Sequence, residues 1–197
     1  MPLSPSELRA KIAEGKKPKA SKKKWEQPTV DDLAHGHVLA FDQTLSNTGM
    51  AWVINDKQGL RAIDCANLKP PSGDYKGHEG SIRKGLWLQS TFVRLRGECR
   101  NAQEIVYEQP AVMGYRIESS LMAAMALRLA WPTAVGIYNQ HAKAVFLGTG
   151  QHTKADVKEC INSYIPNWQR TGPWNEHVRD AVLLGLTYLY DLKKEQS

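Results

Sequence analysis

The sequence lacks several features on which common protein functions depend. It has only three cysteines in 197 residues, with no CxxC pair and no zinc-type spacing, so they are interpreted as core residues of a reducing compartment. It has no Walker loop, no dinucleotide fingerprint and no GxSxG elbow. No apolar run approaches the roughly 18 residues that span a bilayer, and the first residues lack a signal-peptide core. We therefore expect a cytoplasmic protein with no membrane partner.

Positive charge is concentrated at one end of the chain. The sequence holds 26 Lys and Arg against 20 Asp and Glu, a net charge of +6. Residues 9–24 contain eight of these cations and a single acid, Glu14. Such a block is typical of an arm that binds nucleic acid, although a solvated extension that only aids solubility has the same composition. If it binds DNA, we expect it to contact phosphates without reading sequence.

The hydrophobic pattern divides the chain into two parts. Residues 1–35 are rich in lysine and poor in apolar residues, which predicts a basic, flexible extension without a core of its own. Residues 36–197 are long enough to bury a real core and show no internal repeat, which predicts one domain.

Within that domain, short apolar runs alternate with amphipathic segments. Strands are predicted at residues 38–41, 50–54, 61–67, 105–107 and 133–138. Helices are predicted at residues 81–100, 119–130 and 154–164, with a last helix that follows Asn175 and runs to about Leu192. The first three strands are joined by short turns and should form an antiparallel meander, whereas strands separated by a crossover helix should be parallel. The predicted fold class is α/β, with a mixed five-stranded sheet flanked by helices.

Three distant stretches place ionisable residues where apolar structure begins or ends. Asp42 and Glu108 each follow a predicted strand directly. His177 and Asp180 lie three residues apart near the start of the last helix, and therefore share a face. An acid at the end of a buried strand is costly to desolvate unless something pairs with it. A shared divalent metal would satisfy all of these groups together.

The ligand types indicate magnesium and phosphoryl chemistry, because hard divalent cations prefer oxygen ligands. Two ions could hold the attacking water and the leaving oxygen of an in-line displacement. Asp42 would bridge them, with Glu108 and Asp180 each holding one side. His177 would ligate an ion or orient the water. Taken singly, these residues are also consistent with a turn cap, a strand-end charge, a helix-dipole acid and a structural histidine.

Together these motifs resemble the RuvC-like Holliday-junction resolvases of the ribonuclease H-like superfamily. The resemblance covers roughly residues 37–192. The matching residues are Asp42 with Thr48 and Gly49, the stretches 107–110 and 177–180, and the Lys/Gly/Gly/Lys spacing of the stretch 143–154. The resemblance implies a ribonuclease H-like fold and a magnesium- or manganese-dependent endonuclease with two ions per site. It further implies a homodimer that nicks two strands of a four-way DNA junction.

The resemblance also implies roles for individual residues. Catalysis and metal binding would fall to Asp42, Glu108, His177 and Asp180. DNA binding would fall to Lys143, Lys154, Tyr115 and Arg116. Tyr115 would stack on a base at the opened junction, and an ordinary loop aromatic is an equally good explanation of it. The helix around Leu121, Met125 and Leu129 is the expected dimer interface.

The sequence departs from the family pattern in two places, and two other functions remain open. The basic extension lies outside the core pattern, and aspartate often occupies the position of His177. These departures suggest a divergent member, for which a virus or phage is the expected source, and branched DNA in general as a substrate. A ribonuclease H acting on RNA/DNA hybrids would use an acid from the first long helix, where Glu98 is the single candidate. A non-catalytic branched-DNA-binding protein on the same fold is the second alternative.

Overall fold

The structure is a computed structural model that describes residues 25–73, 75–99, 102, 104–110, 117–149 and 152–197. Within these ranges the strands are β1 Gly36–Asp42, β2 Thr48–Asp56, β3 Gly59–Leu68, β4 Glu104–Glu108 and β5 Val135–Ile137. The helices are α1 Gly77–Glu98, α2 Ile117–Ala130, α3 Asn139–Leu147, α4 Lys154–Tyr164 and α5 Glu176–Glu195. Short 3-10 turns occur at Val30–Asp32 and Asn167–Gln169.

The strands form one sheet in the order β3-β2-β1-β4-β5. β1 pairs antiparallel with β2, and β2 pairs antiparallel with β3. β4 runs parallel to β1, and β5 runs parallel to β4. The predicted mixed five-stranded sheet with an antiparallel meander is therefore confirmed. Because β1, β4 and β5 are parallel, their carboxyl ends meet at one edge of the sheet.

The two faces of the sheet are covered by different helices. On β1, Val38 and Ala40 face a core that contains residues of α3, α4 and α5, whereas Leu39 and Phe41 face a core that contains residues of α1 and α2. A strand that is buried on both faces needs apolar residues at consecutive positions, not at alternate ones. This explains the uninterrupted apolar run that precedes Asp42.

The predicted helices are present, with one addition. α1 begins at Gly77, earlier than the predicted position 81. The addition is α3, which begins without a local start signal: its N-cap residue, Tyr138, makes no side-chain capping hydrogen bond. By contrast, the N-cap residues Thr153 of α4 and Asn175 of α5 both accept a hydrogen bond from the first turn of their helices. None of the helices in the described ranges is long and apolar enough to cross a membrane.

Residues 25–35, which the sequence analysis assigned to the extension, pack against the domain. Leu33 and Ala34 are buried, and the Ala34 N–H donates to the Leu189 carbonyl at 2.9 Å. The Asn55 side-chain amide donates to the carbonyls of both residues at 3.3 and 3.1 Å. These contacts hold Leu33 and Ala34 against β2 and the last helix.

A close approach between β2 and α5 fixes the start of the last helix. A Cβ at Gly49 would lie 2.1 Å from the backbone carbonyl carbon of His177 and 2.6 Å from the backbone nitrogen of Val178. Only a residue without a side chain allows this approach. Asn175 sets the first turn, since its Oδ1 accepts a hydrogen bond from the Val178 N–H at 3.0 Å.

Replacing Gly49 by alanine should therefore push α5 away from the sheet. The clash involves backbone atoms that cannot rotate away, so we expect the free energy of unfolding to fall by about 1–3 kcal/mol or more. Urea unfolding measures this loss. Gly97→Ala in α1 is the matched control, because a Cβ there meets nothing within 4 Å. Gly97→Ala should raise the free energy of unfolding by about 0.5–1 kcal/mol. A Gly49→Ala variant that loses no stability would contradict the close approach of β2 and α5.

Candidate active site

The site is built on the adjacent ends of β1 and β4. In the parallel register Phe41 pairs with Tyr107, so the next residues, Asp42 and Glu108, face each other. Their side chains share a hydrogen bond, and Asp42 is only 4% exposed. Burial, followed by this bond and the negative charge of Asp42, raises the pKa of Glu108 well above its ordinary value. Two buried carboxyls in contact hold one proton between them more readily than two negative charges.

A residue that the sequence analysis did not single out holds these two strand ends together. The side-chain Nε2 of Gln43 donates to the Glu108 carbonyl at 2.6 Å, and the Glu108 N–H donates to Gln43 Oε1 at 3.1 Å. Gln43 is 4% exposed. Its amide continues the ladder between the strands beyond the point where their backbones pair. A buried amide side chain immediately after Asp42 was the signal available in the sequence.

The first turn of α5 brings His177 to the same place. Its Nδ1 lies 2.6 Å from Asp42 Oδ2. This hydrogen bond raises the pKa of His177, against the opposing effect of burial. This contact engages Nδ1, and Nε2 is the second nitrogen of the ring. Histidine therefore orients Asp42 and offers a second ring nitrogen to the site.

One turn further along α5, Asp180 adds a third carboxylate. Burial, followed by the charge of Asp42, raises the pKa of Asp180 to about 6. The positive charge of Lys143 acts in the opposite direction on the pKa of both Asp180 and Glu108. Lys143 therefore lies close to the acids. It belongs to α3, the helix that the sequence pattern did not predict.

The other predicted DNA contacts have different positions. Lys154, at the start of α4, forms an ion pair with Glu176, with its Nζ 2.7 Å from Oε1, and this contact raises the pKa of Lys154. The charge of Asp180 also acts on Lys154, which puts the ammonium at the exposed margin of the site. Tyr115 and Arg116 lie outside the described residues.

The donor set fits a hard divalent cation. Within the described ranges, no three His, Cys, Asp or Glu side chains are arranged closely enough to hold an ion as they stand. The chemistry of the group nevertheless suits magnesium or manganese, because its donors are three carboxylates and an imidazole. Burial first, and then the neighbouring negative charge of Asp42, raises the pKa values of Glu108 and Asp180.

Comparisons with known proteins identify the fold. No family model and no curated protein sequence matches this chain. Among solved structures, Thermus thermophilus RuvC in complex with a Holliday junction substrate superposes with a TM-score of 0.64 at 14% identity, covering 82% of this chain and 97% of that chain. The yeast mitochondrial Holliday junction resolvase Ydc2 superposes with a TM-score of 0.55 at 11% identity, covering 85% and 88%.

The class that these comparisons define is the ribonuclease H-like fold in its RuvC-type form. The free T. thermophilus RuvC structure gives the same result, with a TM-score of 0.64 over 81% of this chain. The predicted resemblance and fold class are thus confirmed. At identities of 11–14%, the likeness is one of fold.

Replacing Asp180 by asparagine should stabilise the metal-free protein. The pKa of Asp180 is raised from 3.8 in an ordinary environment to about 6 in the fold. Asp180 therefore ionises at a lower pH in the unfolded state than in the folded state. The free energy of unfolding falls as the pH rises from 3.8 to about 6, and it stays lowered at higher pH. We expect Asp180→Asn to gain about 1–3 kcal/mol above pH 6 in a chelator. Urea unfolding at several pH values measures the gain.

If Asp180 holds a cation, magnesium should narrow this difference, because a cation that binds only the folded state stabilises it and the variant lacks that carboxylate. Asp191→Asn is the matched control: it lies on the same helix and pairs with His141 at 2.9 Å, away from the acid cluster. It should gain nothing. An Asp180→Asn variant that is no more stable than the wild type above pH 6 would show that the acids are already compensated.

Proposed function

We propose that this protein is a metal-dependent DNA endonuclease that resolves four-way or other branched junctions by paired nicks. One observation carries the proposal. On a RuvC-type fold, Asp42 and Glu108 end two adjoining parallel strands, His177 bonds to Asp42 from the first turn of α5, and the charges of Asp180 and Lys143 act on the same carboxyls. Ribonuclease H-like folds host more than one function, so the argument rests on this cluster and not on the fold alone.

In the proposed reaction each residue has a defined task. Asp42, Glu108 and Asp180 would hold magnesium or manganese, which supplies charge neutralisation and an activated water to phosphodiester hydrolysis. His177 orients Asp42 through Nδ1 and presents Nε2 to an ion or a water. Lys143 would contact the scissile phosphate and stabilise the negative charge that develops there. Gln43 keeps the two strand-end acids at a fixed separation.

Two lines support branched DNA as the substrate. The T. thermophilus RuvC structure contains a Holliday junction, and this chain shares its fold over 82% of its length. The net charge of +6 and the basic run in residues 9–24 suit a protein that binds a polyanion. We extend the junction substrate of the relative to this chain on these grounds.

The position of Glu98 argues against the ribonuclease H alternative. Its side chain is 61% exposed at the end of α1 and lies 3.8 Å from Arg94. The non-catalytic alternative is disfavoured because a scaffold has no need to keep three acids together against their mutual repulsion.

Replacing Asp42 by asparagine should separate cleavage from binding. The carboxylate is central to the acid cluster, whereas lysines hold the phosphates, so junction binding should persist while magnesium-dependent cleavage falls at least about 100-fold. Gel-shift and nicking assays on the same four-way junction measure the two. Asp64→Asn is the control, because Asp64 is exposed on β3, and asparagine tolerates its positive φ of 50°. Cleavage by Asp42→Asn at a near wild-type rate would refute the site.

The protein should form a homodimer through α2. Leu121, Met125 and Leu129 recur every four residues, and their side chains are 45%, 63% and 62% exposed. This apolar stripe is unsuited to solvent, and a two-fold partner would present two sites to the two strands of a junction. Met125→Glu should yield monomers in light scattering and uncoupled nicks in cleavage assays.

Trp168→Glu is the control for this interface, because Trp168 is an exposed apolar residue on a separate 3-10 turn. It should leave the dimer intact. A wild-type protein that remains monomeric both with and without junction DNA would rule the interface out.

A further inference from the structure

Residues 165–175, here called the α4–α5 connection, are held against β3, an outer strand of the sheet. Arg170 forms an isolated parallel bridge with Ala62. The Thr171 N–H donates to the Ala62 carbonyl at 3.0 Å, and the Cys65 N–H donates to the Thr171 carbonyl at 3.2 Å. Because its backbone is bonded to a strand at two points, the connection holds the side chains that it carries in fixed positions.

Two arginines, Arg170 and Arg179, meet at Trp174 and are here called the arginine pair. The guanidinium carbon of Arg170 lies 4.3 Å from the centroid of the Trp174 ring. Asn162 Oδ1 accepts from the indole N–H of Trp174 at 3.0 Å and from Arg170 Nη1 at 3.1 Å. Arg179 Nη1 donates to the Trp174 carbonyl at 2.8 Å. One tryptophan therefore positions both guanidinium groups, one through its ring and one through its backbone.

The arginine pair carries positive charge that no ion pair neutralises. In the part of the chain that the structure describes, neither guanidinium group forms a salt bridge with a carboxylate. Of the acids that neighbour Arg179 along α5, Glu176 pairs with Lys154, and Asp180 belongs to the candidate active site. Burial, followed by the positive charge of Arg179, lowers the pKa of Arg170. Two like charges are thus held together around one ring, and an anion would relieve their repulsion.

The remaining N–H groups of the arginine pair suit phosphate oxygens. A guanidinium group carries several N–H donors in a planar fork, and the bonds to Asn162 and to the Trp174 carbonyl each engage one nitrogen. Such a fork binds phosphate through two parallel N–H bonds, which a point charge cannot do. The side chains of Arg170, Arg179 and Trp174 are all partly exposed. The arginine pair is therefore accessible from solvent and already positioned before a ligand arrives.

The arginine pair lies at the same level of α5 as the candidate active site. Arg179 directly precedes Asp180, from which it is separated by a rise of about 1.5 Å and a rotation of about 100°. On one side of the helix His177 bonds to Asp42, whose charge also acts on Asp180. On another side Arg179 bonds to the α4–α5 connection. A nucleic acid carries one phosphate per nucleotide, so a substrate bound at the acids brings further phosphates to their surroundings.

We propose that Arg170 and Arg179 form a second phosphate-binding site, separate from the acid cluster, that takes a backbone phosphate of the DNA substrate. The assignment of this phosphate to DNA rests on the proposed function. A free phosphate ion has the same chemistry, and experiment distinguishes the two sources. A contact with the backbone adds affinity and orientation without reading base sequence. Trp174 is a positioning residue, because it acts through the two arginines.

Three single substitutions test the contact with DNA. Arg170→Gln removes the charge and Arg170→Lys keeps it. Arg94→Gln is the charge-matched control, because Arg94 pairs with Glu98 on α1, which covers the other face of the sheet. The readout is the slope of log affinity against log salt concentration on a four-way junction in a chelator. Each phosphate contact contributes about 0.9 to that slope, so Arg170→Gln should lose about 0.9 and the other two less than half as much. A purely structural role would not separate glutamine from lysine.

Inorganic phosphate tests the site without DNA. Thermal unfolding of the wild type and of Arg170→Gln is followed in a chelator, with sodium phosphate or with sodium chloride at equal ionic strength. A ligand that binds only the folded state raises Tm, so phosphate should raise the Tm of the wild type by about 2–4 °C more than that of the variant. The general stabilising effect of phosphate acts on both proteins and cancels in this difference. Arg179→Gln should behave in the same way, and it carries both tests if Arg170→Gln does not fold.

The outcomes separate this inference from the proposed function. A slope that falls in Arg170→Gln alone, together with loss of the phosphate effect on Tm, would establish the site. Loss of the phosphate effect with an unchanged slope would show that the arginine pair holds a free phosphate, and would overturn its assignment to DNA. If neither quantity changes, the arginines only brace the α4–α5 connection and the inference fails, while junction cleavage stands. A wild-type protein that binds no DNA would overturn the proposed function and the DNA assignment together, and the Tm measurement would still decide whether the pair binds an anion.

Discussion

Asp42 and Glu108 are brought into contact by the parallel pairing of β1 and β4, and the other features of the site accommodate that contact. Two carboxylates at adjoining strand ends repel each other and are expensive to bury. Gln43 holds the strand ends at a fixed spacing through two hydrogen bonds to the Glu108 backbone. His177 supplies a hydrogen bond to Asp42, and its helix reaches that position only because Gly49 has no side chain.

The same contact explains why the site calls for a cation. Asp180 adds a third carboxyl, and burial and the charge of Asp42 raise its pKa by more than the positive charges of Lys143 and His177 lower it. A protein that keeps such a cluster forgoes stability in the metal-free state. In the proposed reaction a divalent ion would supply the positive charge that the carboxylates and the phosphodiester both lack. The excess of negative charge would then explain both the cost in stability and the proposed chemistry.

α3 connects the acid cluster to the first described residues of the chain. The charge of its Lys143 acts on Glu108 and Asp180, and the glycine that caps its C-terminal end contacts the indole of Trp25. The Trp25 N–H also donates to the Val145 carbonyl on the same helix. One short helix thus brings a cation to the acids and fixes the position of Trp25.

The sequence by itself determined the apolar strands that end in Asp42 and Glu108, the capped helix that carries His177 and Asp180, and the mixed topology of the sheet. These depend on local signals: consecutive apolar residues, a capping Asn175, and connection lengths that allow only parallel or antiparallel pairing. Only the tertiary structure decided that Gln43 spans two strands, that Gly49 admits α5, that α3 brings Lys143 to the acids, and that Trp25 rests on Gly148. Each of these is a contact between residues distant in the chain, made through a single side chain or through the absence of one. Such contacts leave no periodic pattern in a sequence, because their partners are chosen by the fold.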